Sequence, residues 1–142
     1  MATHTDQKLE LLKRTPLLAD LGRRELEEVG RLADEIDVSA GRVLMRQGEI
    51  GREFFVLVEG VVGIDRDGAR VRELGPGDFF GEIALLSEGP RTATATAETA
   101  TKLLVLGHRE FHTLMSEYPS IQTSVLNVLA GRLRDLEPDA AH

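Results

Sequence analysis

The sequence contains no cysteine and no tryptophan, and its other aromatic side chains are one Tyr and five Phe among 142 residues. Without cysteine there can be no disulfide framework and no thiolate chemistry, a composition that fits a cytoplasmic protein. The few aromatics leave little for nucleic-acid bases to stack on, and a formal net charge of −7 disfavours a polyanionic partner. No apolar run is long enough to insert into a bilayer, and no signal peptide is visible. Composition therefore argues against direct nucleic-acid binding and against membrane insertion.

The spacing of the apolar residues changes twice along the chain. Residues 6–13 and 23–34 have helical spacing, and so do residues 108–136. Between them, short apolar runs alternate with turn residues, and Asp67-Gly68 is a good hairpin signal because the turn needs positive φ. We expect a mainly β fold, an antiparallel β-roll or jelly-roll of about eight strands with flanking helices. The predicted organisation is a single domain over 1–142, with N-terminal helices over 1–35, the roll over 36–107 and C-terminal helices over 108–136.

Residues 79–94, FFGEIALLSEGPRTAT, depart from the strand-and-turn pattern. Gly81 ends a strand and leads into a predicted single helical turn, which is broken before Arg91. The first amides of a short helix lack intrahelical partners and attract anions, and Gly81 allows a ligand to approach the backbone. Arg91 offers a planar fork matched to two phosphate oxygens, while Glu82 would repel phosphate but can accept hydrogen bonds from a hydroxyl. This combination suits a sugar phosphate better than bare phosphate.

Residues 80–97, FGEIALLSEGPRTATATA, resemble the phosphate-binding cassette of the cyclic-nucleotide-binding domain family, and weaker resemblance extends over most of the chain. The resemblance implies that the ligand is a 3′,5′-cyclic mononucleotide, with cyclic AMP favoured over cyclic GMP. It also implies a ligand-sensing regulatory module without a resident cofactor. The implied contacts are the amides of Gly81, Ile83 and Ala84 to phosphate or sugar, Glu82 to the ribose 2′-hydroxyl, Arg91 to the cyclic phosphate and the Thr92 hydroxyl beside it. The side chain expected to cover the base is Arg132 of the last helix, with Leu129 and Leu133 as apolar alternatives.

Other interpretations of these residues stay open at this stage. Taken singly, Glu82 is an acid favoured by a helix N-terminus, and Arg91 is a surface partner for Glu88. A domain of the same fold without a ligand is a further alternative. His108 and His112 have a spacing that can chelate a metal, but no third ligand is evident, so we expect a solvated helix face and no metal. A cupin-type enzyme needs histidines on the strands, where this chain has none, and we expect no catalysis.

The last predicted helix, residues 119–136, bears on the partners. Its Leu126, Leu129, Leu133 and Leu136 resemble a short heptad seam, which makes the helix a candidate homodimer interface, although packing against the chain's own roll is favoured. After Leu136 the sequence is too short and too acidic for a DNA-binding helix-turn-helix. The chain is therefore either a stand-alone sensor or the sensor part of something longer, such as a transcription regulator, and an effector domain or protein partner is left open.

Overall fold

The computed structural model describes residues 4–15, 18–81 and 89–136, with side chains over 7–15, 18–81 and 89–131. It contains helices at both ends of the chain and strands between them. The helices are α1 (His4–Arg14), α2 (Arg23–Leu32), α3 (His108–Glu117) and α4 (Pro119–Leu136). The strands are β1 (Asp34–Val38), β2 (Val43–Met45), β3 (Ile50–Gly51), β4 (Glu53–Glu59), β5 (Val62–Arg66), β6 (Ala69–Leu74), β7 (Phe79–Phe80), β8 (Gly89–Pro90), β9 (Thr94–Ala97) and β10 (Thr101–Gly107).

The strands form two four-stranded antiparallel sheets and one short ribbon. The strand orders are β1-β10-β4-β7 and β2-β9-β5-β6, and β3 pairs with β8. The predicted β-roll with flanking helices is therefore confirmed, and the described part of the chain holds ten strands where about eight were expected. The additional strands include β3 and β8, which pair with each other and have only two residues each. Two residues are too few to show a periodic pattern of apolar side chains.

Strand β4 separates two apolar cores. Its residues Phe54 to Leu57 are all buried, and successive side chains of a strand point to opposite faces. Phe54 and Val56 accordingly pack in the core that includes the helices, whereas Phe55 and Leu57 pack in the core between the sheets. The strand reads as a continuous apolar run because both of its faces are covered.

Helix α2 is shorter than its sequence pattern predicted. We expected it to continue to Asp34, but it ends at Leu32, and Asp34 already begins β1 opposite Val105. The pairing of β1 with β10 overrides the helical spacing of these last residues, so the strand region begins two residues before the expected boundary at residue 36. At the other end of α2, the amide of Gly22 donates to Glu25 Oε1 at 3.1 Å and so satisfies a donor at the helix start.

Helix α4 buries a different stripe from the predicted leucine seam. Ile121, Val125 and Leu129 are buried in the helix-facing core, whereas Leu126 is 45% exposed. The side chains of Leu133 and Leu136 lie outside the described residues. Of the predicted seam, Leu129 thus packs against the chain's own core, as favoured from the sequence, and Leu126 does not.

The hairpin signal at Asp67-Gly68 is confirmed. Both residues have positive φ, 54° and 81°, and they connect β5 to β6. On the outer face of this hairpin, Arg70 binds Asp65 at 2.8 Å and also pairs with Glu98. The hydrogen bond that the exposed Arg70 guanidinium donates to Asp65, followed by the one it donates to Glu98, raises the pKa of Arg70.

Candidate ligand-binding site

The backbone of Arg91 is fixed at the end of the β3–β8 ribbon. Its amide donates to the carbonyl of Glu49 at 2.8 Å, and its carbonyl accepts from the amide of Gly48 at 2.9 Å. Directly before it, Gly89 and Pro90 pair with β3. The turn at 46–49 and the two-residue ribbon therefore determine where the Arg91 side chain begins.

The guanidinium of Arg91 is oriented by two backbone carbonyls. Nη2 donates to the carbonyl of Glu53 at 2.8 Å, and Nη1 donates to the carbonyl of Gly81 at 3.4 Å. Its flank lies against Gly51, where an added Cβ would overlap Nε, Cδ and Cζ of Arg91. Carbonyl oxygens accept from the guanidinium without carrying a formal charge of their own, and a guanidinium has the geometry to bind two oxygens of a phosphate.

Gly81 is required by the local geometry for two reasons. Its φ is +78°, in the region that favours glycine. A Cβ at this position would also lie 2.8 Å from the Glu53 carbonyl oxygen and 3.0 Å from Arg91 Nη1. The preceding Phe80 pairs with Phe55 in the sheet, and their rings stack at a centroid distance of 4.7 Å. The stacked rings lie at the end of β7, and the structure places Gly81 in contact with Arg91. That the two bind a ligand stays a prediction.

Thr92 and Ala93 face opposite ways. Thr92 is exposed, whereas Ala93 is buried in the core between the sheets, and both residues precede β9, which begins at Thr94. The carbonyl of Thr92 accepts a hydrogen bond from Arg66 Nε at 3.2 Å. A ligand contact by the Thr92 hydroxyl stays a prediction.

Four of the residues expected at the site lie wholly or partly outside the residues that the structure describes. Glu82, Ile83 and Ala84, and with them the predicted helical turn, lie outside the described residues. So does Glu88, the alternative partner of Arg91. Arg132 belongs to the backbone of α4, but its side chain lies outside the described residues as well. Their ligand contacts stay predictions.

A cavity of about 350 Å³ opens beside Arg91. The residues that line it carry charges of both signs, Arg46 and Arg52 together with Glu49 and Glu53. The surroundings of Arg91 are therefore of mixed charge, despite the net negative charge of the chain.

Two contributors to this site were not identified from the sequence. Gly51 provides the space in which the Arg91 guanidinium lies, and Glu53 provides the carbonyl that directs it. The role of Gly51 depends on an absent side chain and that of Glu53 on a backbone atom, so residue chemistry gives little signal for either. The sequence itself offers only the closeness of two glycines, Gly48 and Gly51.

His108 and His112 lie next to each other on α3. The rings of His108 and His112 lie 4.2 Å apart, tilted by 47°. Among the residues that the structure describes, no group of three or more His, Cys, Asp or Glu side chains is placed to hold a metal ion.

Comparison with known proteins identifies the class to which this fold and site belong. The family model of the cyclic nucleotide-binding domain matches residues 35–118. A cyclic nucleotide-gated potassium channel of Rhizobium etli is 40% identical over 116 residues, which are 82% of this chain and 32% of the channel. The crystal structure of the N-terminal domain of a transcriptional regulator from Streptomyces coelicolor matches with a TM-score of 0.77 and 35% identity, over 89% of this chain and 94% of that one. The regulatory domain of Toxoplasma gondii PKA, crystallised with cAMP, matches with a TM-score of 0.73 and 30% identity, over 80% and 46%. The chain belongs to the cyclic nucleotide-binding domain family.

The curated relatives are longer proteins. The chain spans about a third of the length of the curated relatives that it matches first. Within the part of the chain that the structure describes, none of the helices has the length and apolar character needed to cross a membrane.

Proposed function

We propose that this chain binds one 3′,5′-cyclic mononucleotide, cyclic AMP in preference to cyclic GMP, and acts as a ligand-sensing regulatory module rather than as an enzyme. The observation that carries the proposal is the Arg91 guanidinium, which two carbonyls and Gly51 hold in one orientation beside Gly81. A guanidinium prepared in this way binds an anion without first losing side-chain freedom.

The remaining contacts complete a binding site for a ribose cyclic phosphate. We propose that the amides of Gly81, Ile83 and Ala84 bind phosphate or sugar, that Glu82 accepts a hydrogen bond from the 2′-hydroxyl, and that the Thr92 hydroxyl contacts the phosphate. Arg132 on α4 would lie over the base. A dianionic 5′-phosphate would meet the carboxylate of Glu82, a like-charge contact that disfavours it against a monoanionic cyclic phosphate.

The sensor role within a longer protein follows from the relatives. One of them is the N-terminal domain of a transcriptional regulator, and the first curated match is a potassium channel. We propose a cytoplasmic location, an effector domain or protein partner that responds to the ligand, and no direct nucleic-acid contact by this domain. A homodimer through α4 is the second candidate partner, and it is favoured by the exposed Leu126.

Calorimetry with cyclic AMP, cyclic GMP and 5′-AMP tests the proposal. We expect one site per chain, tighter binding of cyclic AMP than of cyclic GMP, and much weaker binding of 5′-AMP. Arg91→Ala should weaken cyclic AMP by roughly 2–5 kcal/mol, as for the loss of one partner from a desolvated charged pair. It should leave the thermal transition intact because Arg91 is half-exposed.

A matched control is Arg23→Ala, which removes an exposed arginine of α2. Equal affinities for the three ligands would contradict the cyclic phosphate as the recognised group. Unchanged affinity of the folded Arg91→Ala protein would place the phosphate elsewhere.

A further inference from the structure

The tip of the β5–β6 hairpin is hydrogen-bonded to the segment that carries Arg91. Arg66 Nε donates to the carbonyl of Thr92 at 3.2 Å. Gln47 Nε2 donates to Asp67 Oδ1 at 2.8 Å, and the amide of Asp67 donates back to Gln47 Oε1 at 2.9 Å. The turn that contains Gln47 is itself bonded to the backbone of Arg91. The hairpin tip, the turn and the Arg91–Thr92 segment are therefore connected to one another by hydrogen bonds.

The Arg66 side chain continues the pairing of β5 with β9 beyond the end of the strands. The register of these strands ends at Asp65 opposite Thr94. Beyond this pair, Arg66 Nε donates to the Thr92 carbonyl, where a longer ladder would use a backbone amide. The bond fixes the peptide unit between Thr92 and Ala93, directly after the Cα that carries the Thr92 side chain, and so orients that side chain.

The proposed function places the phosphate between Arg91 and the Thr92 hydroxyl. We propose, resting on that function, that Arg66 is a positioning residue for the phosphate contact and acts through the hydrogen bond of its Nε to Thr92. The competing explanation is that Arg66 acts only as a nearby positive charge. Arg66 is exposed, so such an effect would weaken as salt increases.

Three substitutions separate the bond from the charge. In Arg66→Gln the amide nitrogen is the same number of bonds from Cα as the arginine Nε, so the donor is kept and the charge is lost. Arg66→Lys keeps the charge but has a methylene at that position, and Arg66→Met has neither donor nor charge. The readouts are the affinity for cyclic AMP and the affinity ratio of its two phosphorothioate diastereomers, in which sulfur replaces one or the other exocyclic oxygen. Arg23→Met on α2 is the matched surface control.

We expect Arg66→Gln to bind cyclic AMP within about twofold of wild type, and Arg66→Met and Arg66→Lys to bind about three- to tenfold more weakly, in the range of a single hydrogen bond. The diastereomer ratio should change in Arg66→Met and Arg66→Lys, and not in Arg66→Gln or Arg23→Met. A general loss of stability would lower both diastereomer affinities together, so the ratio remains informative even if Arg66→Met melts at a lower temperature.

Two results would overturn the inference, and they differ from each other. In the first, wild type binds cyclic AMP and Arg66→Met keeps both the affinity and the diastereomer ratio, or Arg66→Lys matches wild type while Arg66→Gln does not. Either finding would mean that the hydrogen bond has no positioning role. If wild type binds neither cyclic AMP nor cyclic GMP, the proposed function fails and this inference fails with it.

Discussion

Replacing Gly51 by valine is expected to weaken ligand binding while leaving the fold in place. A Cβ at this position would overlap the guanidinium of Arg91, so the arginine must move to another rotamer. Moving it breaks the hydrogen bonds from Nη2 to the Glu53 carbonyl and from Nη1 to the Gly81 carbonyl. The stability cost should be small because the group that moves is the flexible end of a half-exposed side chain, and valine favours the extended backbone of β3.

The magnitude follows from the phosphate contact, which the displaced guanidinium can no longer make in its oriented position. A hydrogen bond to a charged group contributes about 1.5–3 kcal/mol. Since the displaced guanidinium can still approach the phosphate, we expect a loss of about 2 kcal/mol, or roughly 30-fold in Kd. Loss of the whole side chain in Arg91→Ala should cost more.

Gly89→Val is the matched control. Gly89 lies opposite Gly51 in the same two-residue ribbon, and among the described residues nothing lies within 4 Å of its Cβ position. Calorimetry with cyclic AMP should therefore show a large loss for Gly51→Val and little for Gly89→Val. A double-mutant cycle adds a stricter test, because Gly51→Val should have no effect once Arg91 is methionine. A folded Gly51→Val protein with wild-type affinity, or an equal loss in both backgrounds, would refute the idea that Gly51 orients Arg91.

Two further predictions concern the parts of the site that the sequence identified. Glu82→Gln should weaken cyclic AMP more than its 2′-deoxy analogue, because the analogue lacks the hydroxyl that the carboxylate binds; zero coupling in the protein–ligand cycle would contradict the ribose contact. Ligand should increase the protection of backbone amides in α4, residues 119–136, against hydrogen exchange if that helix closes over the base; unchanged exchange there would count against a lid.

The sequence identified those parts of the site that depend on residue type at a fixed spacing. Gly81 and Arg91 were found because a glycine and an arginine ten positions apart flank a predicted helical turn, and the structure brings them together. Gly51 and Glu53 were missed because one acts through a missing Cβ and the other through a carbonyl that every residue has. Tertiary pairing, not local pattern, determines which carbonyl faces the guanidinium.

The fold shows the same division. Strand β4 lies where the short apolar run from Phe54 to Val58 indicates a strand, and the structure shows that Phe54 to Leu57 are buried on both of its faces. The predicted end of α2 lies two residues beyond its observed end at Leu32, because Asp34 pairs with Val105 in the sheet and does not continue the helix. In α4 the leucine spacing suggested a buried stripe through Leu126, but the helix is oriented so that Ile121 and Val125 are buried and Leu126 is exposed.

The short segment from Arg52 to Glu53 is shared by the ligand site and the C-terminal helices. The carbonyl of Glu53 accepts from Arg91 Nη2, and the carbonyl of Arg52 accepts from the amide of His108, the first residue of α3, at 2.7 Å. The carbonyl that accepts from the guanidinium and the carbonyl that accepts from the start of α3 thus belong to consecutive residues. Both hydrogen bonds are accepted by backbone oxygens. The side chains at these two positions can therefore vary while Arg91 and α3 stay hydrogen-bonded to the same two residues. Homologous domains could therefore exchange the chemistry around the cavity and still keep the same spatial relation between bound anion and helix.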